Sequence, residues 1–167
     1  HPLSLGAYTS RGGVLPRKPP SVNVTDIGPG SVTRGKDWEV VSAPAEHVQP
    51  YLDSLAYRVN TSEGSFVFTG DTTPCQTVAA LAKGADVLVF VCVNIQAEIE
   101  DKPEGKYMCG TTGAAEMAQE AGVKKLVLVH MGPGLSAREP FEDVHPSMQR
   151  IYQGEIVFSE ELLKIDL

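Results

Sequence analysis

Three residues have side chains suited to chemistry and stand where the chain pattern leaves them available. Asp71 sits in FVFTGDTTPC, directly after an apolar run that stops at Gly70. His130 closes the apolar run LVLVH, and His47 lies in APAEHVQP behind another strand-like stretch. A carboxylate and an imidazole that converge suit either metal ligation or acid–base chemistry. Plainer roles compete with both. An Asp between a strand and a helix often makes an Asx turn or faces a helix dipole, and a His ending an apolar strand is often a hydrogen-bonded structural residue. His47 taken alone suits a loop. His1 and His145 carry little signal, and HMGPG follows a strand without opening a helix, which makes it a weak phosphate cradle.

Whether these residues meet depends on the elements that carry them. The runs 65–69, 87–93 (VLVFVCV) and 126–129 read as strands, the last two fully apolar as in buried parallel sheets. Right-handed crossovers would put the C-terminal ends of parallel strands on one edge of the sheet. Asp71 follows the first, Asn94 the second, and His130 ends the third. Ligands of open α/β sheets bind outside that edge. The helices between them are also legible. Thr73 as N-cap and Pro74 at the first helical position predict a helix to about Lys83, ended by Gly84. Ala114, Met117, Ala118 and Ala121 fall at i, i+3, i+4 and i+7, the stripe of an amphipathic helix closed by Gly122.

Upstream, the pattern is a meander. Trp38–Ala43 predicts a strand, and Ser54–Asn60 with Ser65–Thr69 predicts a hairpin across NTSEG. Residues 1–37 are rich in Gly, Pro and Ser and predict an irregular N-terminal arm with a short strand at Val22–Ile27 and a turn at GPG, residues 28–30. A polar loop, NIQAEIEDKPEGKY, follows the VLVFVCV strand. A short helix is expected around His145–Tyr152, then a strand in EIVFS. The fold class is α/β, a mixed sheet with flanking helices.

The 167 residues suffice for one domain with a real core. The net charge of −7, with no basic stripe, makes nucleic acid an unlikely partner. No stretch approaches the roughly 20 apolar residues of a membrane span, so no membrane is expected. Cys75, Cys92 and Cys109 are odd in number and lack CxxC spacing, which predicts buried free thiols and a cytoplasmic location. The chain opens on His1 rather than methionine, so a processed or longer protein is expected.

Taken together, SLAYRVNTSEGSFVFTGDTTPCQTVAALAKGADVLVFVCV and AAEMAQEAGVKKLVLVH resemble the C-terminal half of metallo-β-lactamase-fold hydrolases, in the ribonuclease Z and arylsulfatase-like branch. The likeness covers most of residues 20–167, including YQGEIVFSEELLKIDL, which is similar to the family's closing strands. It implies half of an αββα sandwich, with residues 38–167 as a partial domain. Asp71 matches the aspartate that bridges two metal ions, usually zinc, and His130 matches a histidine ligand of the second. His47 matches a histidine often found before the hairpin and is a further candidate ligand. The family's HxHxDH motif is absent from this sequence. Met108 or Cys109 stands near a family histidine, and Val93 and Asn94 replace a family acid. The resemblance therefore implies the C-terminal portion of a metal-dependent hydrolase of ester, phosphodiester or amide bonds, incomplete and inactive as this chain alone, with a small-molecule substrate where it is active. The alternative is a non-catalytic truncated descendant, a dimeric binding module. A half-sandwich leaves apolar sheet surface open, so a homodimer or a missing N-terminal half is the expected partner.

Overall fold

The computed structural model describes residues 2–17, 23–136 and 140–167. Its elements, in chain order, are helix α1 (Pro2–Ser10) and strands β1 (Val32–Arg34), β2 (Trp38–Ala45), β3 (Ser54–Thr61) and β4 (Ser65–Phe68). From there helices and strands alternate: α2 (Gln76–Ala82), β5 (Val87–Val91), α3 (Gln96–Ile99), α4 (Thr111–Ala121), β6 (Lys125–Val129), α5 (Pro133–Ser136), α6 (Pro140–Gln149) and β7 (Glu155–Phe158). A 3-10 turn at Pro103–Lys106 lies between α3 and α4.

The seven strands form one sheet in sequence order, β1 to β7. Pairings are antiparallel from β1 through β4 and parallel from β4 through β7. The switch falls where hairpin loops give way to helical crossovers, as parallel pairing requires. Val67, Leu88, Phe90, Leu126 and Leu128 are fully buried. They share one core with Val78, Ala79 and Ala82 of α2, with Ala114, Met117, Ala118 and Ala121 of α4, and with Val144 and Met148 of α6. The alanine-rich stripes of α2 and α4 let those helices pack against each other. Gly122, at φ +63°, ends α4 with its N–H bonded to Ala118 and Gln119 carbonyls.

The alternate residues of β4, Phe66 and Phe68, stand on the other face, and Phe68 is 48% exposed. The chain end returns to the foot of the sheet, where Lys125 Nζ donates to the Asp166 carbonyl (3.1 Å) and Leu167 lies beside Gly64. ELLKIDL is therefore not a closing strand. A turn at Glu160–Leu163 reverses the chain, and a side chain takes up its backbone polar group.

The N-terminal arm differs from expectation in two ways. Residues 2–10 are helical, and residues 23–27 form no strand, Val22 lying outside the described residues. The edge strand is instead Val32–Arg34, paired with Glu39–Val41, so the sheet begins before residue 38. Ser42 is the cause. Its backbone bonds Gly30 and Ser31, and its hydroxyl donates to the Gly28 carbonyl (2.9 Å). Fixing the GPG turn in this way leaves the residues after it, not before it, alongside β2.

The start of α2 also differs. Cys75 is the N-cap, and the first helical residue is Gln76 rather than Pro74. Thr73 is engaged elsewhere: its N–H donates to the Glu46 carbonyl (2.8 Å). The hydroxyl of Thr72, fully buried, accepts from the Glu46 N–H (3.0 Å). The two threonines tie this turn to the end of β2, leaving no side chain to cap the helix.

Candidate metal centre

Asp71 and His130 meet at the C-terminal edge of the parallel strands, with His130 Nε2 3.9 Å from Asp71 Oδ1. Neighbours fix each backbone. Thr69 is buried and its N–H donates to the Val89 carbonyl (3.2 Å), locking the end of β4 to β5. Gly70, at φ +60°, makes the sharp turn that lifts Asp71 above the edge, and buried Thr72 pins its far side. His130 itself takes φ +59°, the left-handed region that a branched-at-Cβ or ring-bearing residue enters at a cost. Two residues further on the chain is tied back to β5's extension, where the Gly132 N–H donates to the Val93 carbonyl (2.9 Å). Both side chains remain open to solvent, 40% exposed for Asp71 and 56% for His130.

The spacing is chemically specific. At 3.9 Å the two atoms are too far apart for a hydrogen bond. Two donors that share one zinc through bonds of roughly 2.0–2.2 Å lie about 3–4 Å apart. Asp71 and His130 thus fit zinc in donor type and separation, and they supply two donors where a catalytic zinc takes three from protein. Among the described residues, no group of three His, Cys, Asp or Glu side chains gathers closely enough to hold a metal ion.

His47 does not complete the set. It lines a depression with Asp71 and its Nδ1 lies 2.8 Å from the Tyr107 carbonyl, but it does not gather with Asp71 and His130 into a group of three ligands. Cys109 does not complete it either. It is buried, its thiol donates to the Gly110 carbonyl (3.2 Å), and burial pushes its pKa far up, which disfavours the thiolate that a metal requires. Burial pushes Cys92 up as well, to about 12. Asn94, which follows β5 as Asp71 follows β4, is structural: its Oδ1 accepts from the Ile95 N–H (2.9 Å), and its backbone bridges to Gly110. The three cysteines are free and buried. HMGPG opens only the single-turn helix α5.

Sequence spacing had no means of showing two features, the carbonyl of Tyr107 behind His47 and the second carboxylate, Asp53, in the depression beside Asp71. The left-handed backbone of His130 was equally invisible, because no glycine or asparagine marks it.

An open, part-parallel sheet with helices on one face and an acid–imidazole pair at its C-terminal edge defines the class of α/β protein. Residues 2–131 match the family described as the β-lactamase superfamily domain, and the chain belongs to that superfamily, with the metallo-β-lactamase fold. Ribonuclease Z of Mycobacterium sp. (strain KMS) is 35% identical over 129 residues, covering 71% of this chain and 43% of that protein. Ribonuclease Z of Mycobacterium avium (strain 104) is 28% identical over 156 residues, covering 89% of this chain and 54% of that protein. The chain thus spans about half the length of the curated relatives it matches. Among solved structures, the metallo-β-lactamase fold protein YhfI from Bacillus subtilis aligns with a TM-score of 0.65 at 16% identity, over 80% of this chain and 52% of that one. Human tRNase Z, short form, aligns with a TM-score of 0.57 at 19% identity, over 80% and 44%. Among the described residues, no helix is long and apolar enough to cross a membrane.

Proposed function

We propose that this chain contributes the C-terminal part of a metal-dependent hydrolase centre, with Asp71 and His130 as zinc ligands and the remaining ligands supplied by polypeptide outside the described residues. The observation that carries the reading is the 3.9 Å separation of two solvent-open donors at the ligand-binding edge of the sheet. Zinc, when bound, supplies Lewis acidity and lowers the pKa of water toward neutrality. Asp71 and His130 hold and orient; the bond cleaved is an ester, a phosphodiester or an amide. The ribonuclease names of the relatives bring RNA to this chain as a substrate class. The charge of −7 weighs against a long polyanion and leaves a short or locally bound one open.

Equilibrium dialysis against zinc tests the ligand assignment. The chain alone is expected to bind weakly, and Asp71→Ala or His130→Ala to remove that binding, with a loss of about 100-fold or more, since even a residue that only orients a ligand is worth about 10–100-fold. Equal zinc uptake by wild type and Asp71→Ala overturns it.

The partly exposed face carrying Phe66 and Phe68 supports a partner surface, either a homodimer or a preceding half of the same fold. A stand-alone, non-catalytic dimer is the second reading, favoured by the two-ligand site. Light scattering decides here: a monodisperse monomer removes the dimer.

A further inference from the structure

We propose that the chain reversal after α1 is a phosphate-binding site, in which Arg11 and Arg17 hold a phosphodiester of single-stranded RNA. The site lies in the N-terminal arm and uses none of the residues of the candidate metal centre. Its phosphate chemistry stands by itself; the choice of RNA rests on the hydrolase reading above.

Charge is distributed unevenly along the chain. Residues 2–17 contain two arginines and no Asp or Glu, and the first acid is Asp26, although the whole chain carries −7. An acidic protein that takes a polyanion needs a local basic spot, because affinity for a phosphate backbone comes chiefly from Lys and Arg set against it. In sequence Arg11 and Arg17 form no stripe, but the fold brings them to one pocket. Gly12, at φ +84°, reverses the chain, and Ala7, Tyr8, Arg11, Gly12, Gly13 and Arg17 line a pocket of about 450 Å³. That lies within the roughly 300–1,000 Å³ of ligand sites.

Both guanidinium groups keep their donors. Arg34 is paired with Glu39 (2.6 Å), and Arg58 donates to the Leu81 and Lys83 carbonyls. Arg11 and Arg17, by contrast, have no hydrogen bond or ion pair among the described residues. Arg17 is nonetheless held in place, its Cζ standing over the Tyr8 ring, 5.2 Å from the centroid. Tyr8 is fixed in turn: its hydroxyl donates to the Val14 carbonyl (3.3 Å), and a Cβ at Gly13 would collide with its ring. Stacking on an aromatic face leaves the in-plane N–H donors of a guanidinium available. The last carbonyls of α1 would repel an anion, but those of Tyr8 and Thr9 accept from the Gly13 and Gly12 N–H groups (2.9 and 3.0 Å). Two guanidinium groups without a competing carboxylate suit a phosphate, which each can grip through paired donors.

The test is fluorescence anisotropy of a labelled oligouridylate with the full chain, in EDTA so that no metal takes part. Wild type is expected to bind, with a log–log salt slope of about 0.7 for each phosphate neutralised. Arg11→Gln with Arg17→Gln is expected to weaken binding about tenfold or more and to flatten that slope. Tyr8→Leu, which removes the platform under Arg17, is expected to cost about two- to fivefold, and Tyr8→Phe, which keeps the ring, to bind like wild type. Lys83→Gln with Lys164→Gln removes the same charge from exposed positions elsewhere and is expected to change nothing. Uridine monophosphate as competitor separates the sources of the phosphate. A large excess is expected to be needed; displacement as effective as by unlabelled strand assigns the same site to a free nucleotide. No binding by wild type, unweakened binding by the arginine double variant, or an equal loss in the lysine double variant overturns the proposal. The two readings fail separately. Strand binding through the arginines without zinc uptake in dialysis fells the metal reading alone; normal zinc uptake without strand binding fells this site alone.

Discussion

Two aspartates at opposite ends of the same sheet have opposite surroundings. Asp86, at the foot of β5, accepts from the Ser65 N–H (2.7 Å), the Ser65 hydroxyl (3.0 Å) and Lys124 Nζ (2.6 Å). It thereby joins the starts of β4, β5 and β6. The Lys124 hydrogen bond, then those from Ser65, hold its carboxyl well below the usual range, at about 2. Asp71, at the other edge, makes no side-chain hydrogen bond among the described residues and has His130 at 3.9 Å as its ionic neighbour. A carboxylate used to hold strands together is saturated with donors; one kept for a ligand is left short of them, since ligand donors and structural donors compete for the same lone pairs.

That contrast can be broken by exchanging the two roles. The largest effect is expected from Asp86→Ala, which should lower the urea midpoint clearly, because it removes the common acceptor of three strands and leaves Ser65 and Lys124 without it. Asp71→Ala should leave the midpoint near that of wild type. A midpoint loss in Asp71→Ala equal to that of Asp86→Ala would erase the distinction.

A second, intermediate effect is on pH dependence. The folded-state pKa of Asp86 (about 2) lies below its ordinary value of 3.8, so the unfolded chain binds more protons between the two. Its contribution is therefore fully present above pH 4 and is lost as pH falls through the interval toward 2. Asp86→Asn should flatten that part of the acid limb in urea titrations at successive pH values. An unchanged acid limb would show that the carboxylate is not the group responsible.

The smallest effect sharpens the other pole. His130→Gly relieves a left-handed backbone that costs a side-chain-bearing residue about 1–2 kcal/mol, against about 0.5–1 kcal/mol of extra chain entropy for glycine. A net gain of about 0.5–1 kcal/mol in unfolding free energy is expected, together with loss of zinc uptake. A stability loss would mean that the imidazole itself supports the fold.

Much of this architecture was legible from residue patterns. VLVFVCV and LVLVH announce interior parallel strands because their apolar runs show no polar alternation. The Ala114–Ala121 stripe announces α4 because core contact recurs every three to four residues. Handedness then places Asp71 and His130 on one edge, and the structure brings them within 3.9 Å. The misses share a cause. Thr73 resembles an N-cap until Glu46, 27 residues earlier, takes its bonds. Val22–Ile27 resembles a strand until Ser42 fixes the turn that puts Val32–Arg34 there instead.

The sequence by itself determined the strand and helix order, the sheet edge where chemistry gathers, and the residue types at that edge, because each follows from short-range periodicity and chain handedness. Only the tertiary structure decided that His47 leans on Tyr107, that Asp53 joins Asp71 around one depression, and that His130 occupies a left-handed turn. Those depend on hydrogen bonds and backbone angles set between segments far apart in the chain, which no local pattern records.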